Sequence, residues 1–148
     1  MTHGEVVLRA ARNGDRVAIE RLLIDLKLPV EGVGDWLSQF WIAESGGTVV
    51  GIAGVELYED GALLRSVAVH PAWRSGGLGR TLVDRALDGA RHSGARDVFL
   101  LTTTAEHYFP RLGFAGITRD QVPAGVQGSI EFREACPASA VVMHRRLE

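Results

Sequence analysis

The chain has 148 residues and a mass of 16.0 kDa, which fits one domain around one core. With 46% hydrophobic and 23% charged residues it is neither collagen-like nor disordered, and 16 basic against 18 acidic residues, with no block of like charge, provide no basic footprint for a nucleic acid. No apolar run approaches the ~20 residues of a membrane span, Met1 to Glu5 lack a secretory pattern, and the single Cys136 can make neither an internal disulfide nor a multi-thiolate metal site. The expectation is a cytoplasmic, metal-free domain, 1–148, with a small-molecule partner.

Glu5 to Arg12 reads as an opening strand, and Asn13-Gly14-Asp15 supplies capping chemistry for a helix, with Asn13 or Asp15 as the cap. Ala18, Leu22 and Leu26, flanked by Ile19 and Leu23, recur at helical spacing until Pro29. Val30 to Leu37 is broken by Gly32, Gly34 and Asp35 and reads as a loop or single turn, a candidate lid. Gln39 to Glu44 and Thr48 to Tyr58 are strand-like and joined by Ser45-Gly46-Gly47. Asp60-Gly61 predicts a two-residue hairpin turn that sets Glu59 opposite Ala62 and Glu56 opposite Arg65, an ion pair across the strands.

Ala62 to Val69 is nearly continuously apolar, as expected of a central strand covered on both faces, and His70-Pro71 ends it. Leu82, Val83, Ala86, Leu87 and Ala90 mark a helix from Arg80 to His92-Ser93-Gly94. Asp97 to Thr103 is a further buried strand. Thr104 can cap a short helix through Leu112, which Pro110 should bend or shorten, and Gly113-Phe114 opens a last strand region. Val122 to Pro137 carries mixed turn signals, and Ala138 to Arg146 reads as the final strand. The order describes an α/β (α+β) domain, a mixed sheet with helices on its faces and no Rossmann start.

The chemically informative run is Arg74-Ser75-Gly76-Gly77-Leu78-Gly79-Arg80-Thr81, between a buried strand and a strong helix. Glycines let backbone N–H groups approach an anion, and the helix adds the positive end of its dipole. By itself the run also fits a plain connector. Its context is a strand ending in Val67-Ala68-Val69 and, later, Tyr108-Phe109-Pro110-Arg111-Leu112-Gly113-Phe114.

On these residues the chain resembles the GCN5-related N-acetyltransferase (GNAT) superfamily. Arg74, Gly77 and Gly79 match that family's Arg/Gln-x-x-Gly-x-Gly/Ala pyrophosphate loop, and Gly113-Phe114 its later signature. The resemblance implies a mostly antiparallel sheet whose fourth and fifth strands splay to admit acetyl-CoA as cosubstrate. It implies that Val67, Ala68 and Val69 bind the pantetheine arm and that the amides from Gly76 to Thr81 bind the pyrophosphate. Leu63 to Val69, Leu101 to Glu106, and Glu131-Phe132 through Cys136 to Ala140 look like acetyltransferases associated with arsenic resistance. Leu101-Thr102-Thr103 with His107, Phe109 and Val122-Pro123 is also similar to the acetyltransferase domain of N-acetylglutamate synthases. Both resemblances imply an amino-acid-like amine.

Amide formation needs a neutral amine, a stabilised oxyanion and a proton for the thiolate. The family often carries a base on the fourth strand, where this chain has Leu63 and Arg65. Glu56 on the neighbouring strand is the substitute base, or else simply the partner of Arg65. Arg65 can grip a substrate carboxylate or an arsenical oxyanion, or be satisfied by Glu56. The family's acid tyrosine position is held by Phe109, with Tyr108 rotated by ~100° on a helix, so Tyr108 serves as general acid only if Pro110 re-aims it. Thr102, Thr103 and His107 are further substrate-binding candidates, with β propensity or plain solvation as the alternative. Cys136 is either a reactive thiol or a small buried residue, and Trp36, Phe40 and Trp41 are expected in the core. A catalytically weak acyl-CoA sensor and a protein lysine acetyltransferase remain alternatives, and a homodimer is left open.

Overall fold

A computed structural model describes residues 5–129, 132 and 139–147. Seven strands form one sheet in the order β1-β2-β3-β4-β5-β7-β6. The strands are β1 (Val7–Ala10), β2 (Phe40–Ser45), β3 (Thr48–Tyr58), β4 (Gly61–Val69), β5 (Asp97–Thr102), β6 (Ala115–Ile117) and β7 (Val141–Arg146). Helices α1 (Arg16–Asp25) and α2 (Leu78–His92) cover opposite faces, and the single turn α3 (Ala124–Gln127) lies against β4. All pairings are antiparallel except β4 with β5, which α2 connects as a crossover.

Alternation along the strands produces the two faces. Phe40, Ile42 and Ile52 pack against Ile19, Leu22 and Leu23 of α1, while Ala43, Ala53 and Val55 pack against Leu82, Val83 and Ala86 of α2. A third cluster joins Leu63, Phe99 and Val142 to Val122 and Val126. Phe40 is fully buried, as expected, whereas Trp41 is only partly covered and stacks under the Arg85 guanidinium.

The boundaries differ from expectation at points with identifiable causes. The strand expected from Glu5 begins at Val7, and α1 stops at Asp25, because Lys27 turns to φ 60 and Leu28 N–H bonds back to the Leu23 carbonyl before Pro29 is reached. Neither Asn13 nor Asp15 caps α1 with its side chain. Asp15 instead accepts from Arg12 N–H at the start of a 3-10 turn and binds Arg9. The expected short helix from Thr104 is a 3-10 turn, Phe109–Leu112, with Pro110 in its first positions, and it is Thr102 whose hydroxyl accepts the Ala105 N–H, at 2.9 Å.

The hairpin register is also shifted. Glu59 and Asp60 form the turn, Tyr58 faces Gly61, and Glu56 faces Leu63, while Arg65 faces Gly54. Gly61 is consumed by packing, since a Cβ there would stand 2.9 Å from the Phe99 ring, and the Asp60 carboxylate leaves the turn to accept the Gly125 N–H at 2.8 Å. The shift is by two residues, so every side chain keeps its face. Glu56 and Arg65 therefore still meet, as diagonal neighbours, with Arg65 Nη1 2.7 Å from Glu56 Oε2. Cys136, Glu131 and Pro137 lie outside the described residues.

At the open end of the sheet, Arg9 clamps β1 to the first turn and to β2, donating to Asp15 at 2.7 Å and to Glu44 at 3.1 Å. The guanidinium and the Arg12 amide lower the Asp15 pKa from 3.8 to about 2. A depressed carboxylate contributes stability above its unfolded pKa and loses it as pH falls through the folded one. Asp15→Asn is expected to cost about 1–2 kcal/mol at pH 7, given an incompletely buried pair. In urea unfolding, the gap to the parent protein should close as pH falls from about 4 to about 2.

Candidate active site

β4 and β5 are joined by only two residue pairs, Ala62 with Val98 and Leu63 with Phe99. Both strands continue, to Val69 and to Thr102, without a ladder between them. A register shift where Ser66 and Val67 oppose only Ala53, with Ser66 at φ 58, bends β4 away at this point. The result is a wedge in the middle of the sheet whose walls carry backbone N–H and C=O groups, which an extended polar ligand can satisfy.

This wedge opens into a cavity of about 930 Å³, within the range that holds a small organic ligand. Val67, Ala68 and Val69 line it on one side and Leu100 to Ala105 on the other. The loop at the end of α1 contributes Leu26 to Pro29, and the start of α2 closes the cavity beyond the strand ends.

Gly77, at φ 79, is the N-cap of α2, a position without a side chain to satisfy the first-turn donors. No acidic residue stands in that turn, so the N–H groups of Leu78, Gly79 and Arg80 and the helix dipole point toward an incoming anion. The expected helix start at Arg80 is thus two residues too late. As a consequence the Thr81 amide is not available to a phosphate. It donates to the Gly77 carbonyl at 3.1 Å, as does the Thr81 hydroxyl. Arg74, Ser75, Gly77, Leu78, Gly79 and Arg80 line the cavity, and Gly76 and Thr81 do not. Arg74 folds back, its Nε donating to the Val69 carbonyl at 3.1 Å, which ties the glycine loop to the end of β4.

The proposed chemical residues separate. Tyr108 lines the cavity with its hydroxyl beside the first turn of α2, where a Cβ on Gly79 would stand 2.8 Å from it. Burial pushes its pKa above 10, so the phenol stays protonated through the neutral range. Phe109 is buried edge-on to Tyr108 and Phe114. Glu56 is 1% exposed and lies behind Arg65, off the cavity wall, held by the guanidinium and by the Tyr58 hydroxyl. Its placement supports the partner reading and not the base reading. Arg65 does reach the wall, with Thr102 and Thr103 across from it. Thr102 spends its hydroxyl on the Ala105 amide, and His107 points into solvent, 97% exposed and outside the lining. His70 is a strand-end residue, its ring accepting the Ala72 N–H.

Reading the sequence missed Lys27, Trp73 and Arg111, all of which line the cavity. Lys27 lies in a helix-ending turn that periodicity treats as a boundary, and only its position between Leu26 and Leu28 before Pro29 hinted at an ordered loop. Among the described residues, the charged members of the lining are Lys27, Arg65, Arg74, Arg80 and Arg111, with no carboxylate beside them. A cleft of one sign attracts and holds an oppositely charged ligand.

Comparison with known proteins agrees with this geometry. A family model described as "Acetyltransferase (GNAT) domain" matches residues 36–115. An amino-acid acetyltransferase of Mycobacterium tuberculosis is 36% identical over 140 residues, 88% of this chain and 77% of that protein. An uncharacterized N-acetyltransferase of Chlorobaculum tepidum is 31% identical over 83% of this chain and 84% of its own. The N-acetylglutamate synthase of Neisseria gonorrhoeae, solved with coenzyme A and N-acetyl-glutamate, superposes with a TM-score of 0.83 and 25% identity. That alignment covers 99% of this chain, which spans only 36% of the synthase.

Proposed function

Because the chain belongs to the GNAT acetyltransferase family and is an acyltransferase, we propose that it moves the acetyl group of acetyl-CoA directly onto the amine of a free, carboxylate-bearing amino acid. The observation that carries the acceptor class is the cleft's charged lining, which among the described residues is cationic throughout. Pyrophosphate at the α2 N-terminus uses the Arg74 and Arg80 end, and the pantetheine arm lies along Val67 to Val69 in the wedge. The field of the remaining cations then draws in an acidic acceptor, with Lys27 nearest in sequence to the loop that Arg65 binds. Relatives that acetylate amino acids support this reading, as does the coenzyme A bound to the gonococcal enzyme. The resemblance to arsenic-resistance acetyltransferases extends the class to arsenical amino acids, and a cytoplasmic setting belongs to the same reading. Among the described residues, no helix is long and apolar enough to cross a membrane.

Among the described residues the lining holds no carboxylate or histidine, and in this reading the amine reacts as its free base. Binding acid and amine at two points aligns the nitrogen with the thioester and replaces activation by positioning. As the C–S bond breaks, Tyr108 gives its proton to the departing thiolate, and the proton released by the newly acylated nitrogen restores the phenol. Expected outcomes follow from each part. Thiol release from acetyl-CoA across a panel of acidic, neutral, phosphonate and arsenical amino acids, simple amines and lysine peptides should favour the acidic amino acids by about tenfold or more in kcat/KM. For the preferred substrate that ratio should climb with pH toward the amine's own pKa. Equal rates with simple amines would remove the acceptor assignment.

Gly79→Asp puts a carboxylate where the pyrophosphate approaches and a Cβ against Tyr108, and should weaken acetyl-CoA binding by about a hundredfold in calorimetry, in a protein that still folds. Tyr108→Phe should leave that affinity intact and lower kcat by about a hundredfold, the scale of a general-acid contribution. A kcat within about threefold of the parent's would place proton delivery elsewhere.

A further inference from the structure

Arg65 reaches the cavity wall, and its guanidinium donates back into the protein. Its side chain is fully buried, and that of Glu56 nearly so. Nη1 donates to Glu56 Oε2 at 2.7 Å and to the Glu31 carbonyl at 2.5 Å. Nη2 reaches the Pro29 carbonyl at 3.4 Å, and Nε donates to Ser66 Oγ at 3.0 Å, at the bend of β4. The other oxygen of Glu56 accepts the Tyr58 hydroxyl, and the Tyr58 ring packs 5.6 Å from Trp36 at the far end of the same loop. Gly32, at φ 85, is seated on the pair, where a Cβ would stand 2.8 Å from Arg65 Nη1 and 3.4 Å from Glu56 Oε2.

A desolvated guanidinium is costly unless its N–H groups are met, and a single carboxylate meets only part of them. Here the missing acceptors come from the backbone of the loop between α1 and β2. Lifting that loop would strip Arg65 of two carbonyls while leaving its charge buried, so loop position and ion pair are coupled. The same loop supplies Leu26 to Pro29 as one wall of the cleft.

We propose that Tyr58, Glu56 and Arg65 form a latch that fixes the α1–β2 loop and thereby sets the width of the acceptor end of the cleft and the placement of Lys27 in it. These are positioning residues. The latch gives Arg65 its role through the loop, without a bond to the acceptor, and accounts for Glu56 being buried against the guanidinium without facing the reaction. Only the kinetic part of the test rests on the acetyl-transfer reading.

The test uses the full chain carrying Gly32→Ala, Glu56→Gln or Arg65→Lys. Neither Gly32 nor Glu56 lines the cleft, so their effects report on the loop. Each variant is expected to speed amide hydrogen exchange in segment 28–34 by about tenfold or more and to raise the acceptor KM by about tenfold. The acceptor kcat should stay within about threefold, and acetyl-CoA affinity within about twofold. Tyr58→Phe, which keeps the ring on Trp36, should show the same pattern in weaker form, and it remains readable if Gly32→Ala fails to fold. The proposal is overturned if Arg65→Lys raises the acceptor KM while Glu56→Gln and Gly32→Ala leave both KM and exchange unchanged, because the guanidinium then grips the substrate itself. Unchanged exchange in all variants overturns it as well. Should the parent protein acetylate none of the panel, the exchange measurements still decide the latch, and only the proposed reaction falls.

Discussion

The structure depends on how briefly β4 and β5 stay paired. Two residue pairs, ending at Leu63 with Phe99, hold the halves of the sheet together, and beyond them the strands run on without each other. A sheet parted at its centre leaves two edges of polar backbone inside the protein, which is unfavourable unless something fills the gap. Two features keep it from collapsing. The bend at Ser66 turns β4 outward, and the α2 crossover, packed against β3 and β4 through Leu82, Val83 and Ala86, prevents the strands from closing up. The crossover also brings the N-terminus of α2 to the mouth of the gap, so one topological choice makes both the slot and its anion-binding end.

The two ends of the cleft are built from different materials. At the α2 end the cleft offers backbone amides and the positive end of the helix dipole, and the side chains matter chiefly by being absent, as at Gly77 and Gly79. At the other end the wall is a loop, held by side chains that reach across from β3 and β4. A ligand common to many enzymes suits the first, because its recognition needs little beyond glycine at the right places. Discrimination among acceptors falls to the second, where a change in one loop residue moves a wall.

That division explains what could be read from the sequence. The strong periodicity of α2 and the continuous apolar run of β4 made the fold plain, and the glycine run between them marked the turn into α2 that lines the cleft, because each of these signals is local. The close of α2 at His92 was legible, its start was placed two residues late, and the Asp60-Gly61 hairpin was misplaced because tertiary contacts outranked local preference: Gly61 is needed by Phe99 and Asp60 by Gly125, so the turn moved to Glu59 and Asp60. The shift preserved the faces, which is why Glu56 and Arg65 could be paired correctly from a wrong register. Lys27 escaped notice because its place depends on a positive φ and on where a loop lands. The hydroxyl of Thr102 and the exposure of His107 likewise follow from turn geometry that their residue types do not encode.

An acid and a base of opposite charge, buried side by side in a strand pair, usually suggest catalysis, and here the geometry argues against that inference for Glu56. A carboxylate that accepts from a guanidinium and a phenol has both oxygens engaged and is screened from the cleft by the arginine itself. Removing a proton from an acceptor would require it to leave both partners and pass Arg65. Holding the guanidinium in a fixed orientation requires neither. The cost of desolvating the pair is offset by the carbonyls of Pro29 and Glu31, and those bonds exist only when the loop is down. The charge pair therefore holds the wall in place from behind, and the cleft, cationic among the described residues, is left free to position what enters it.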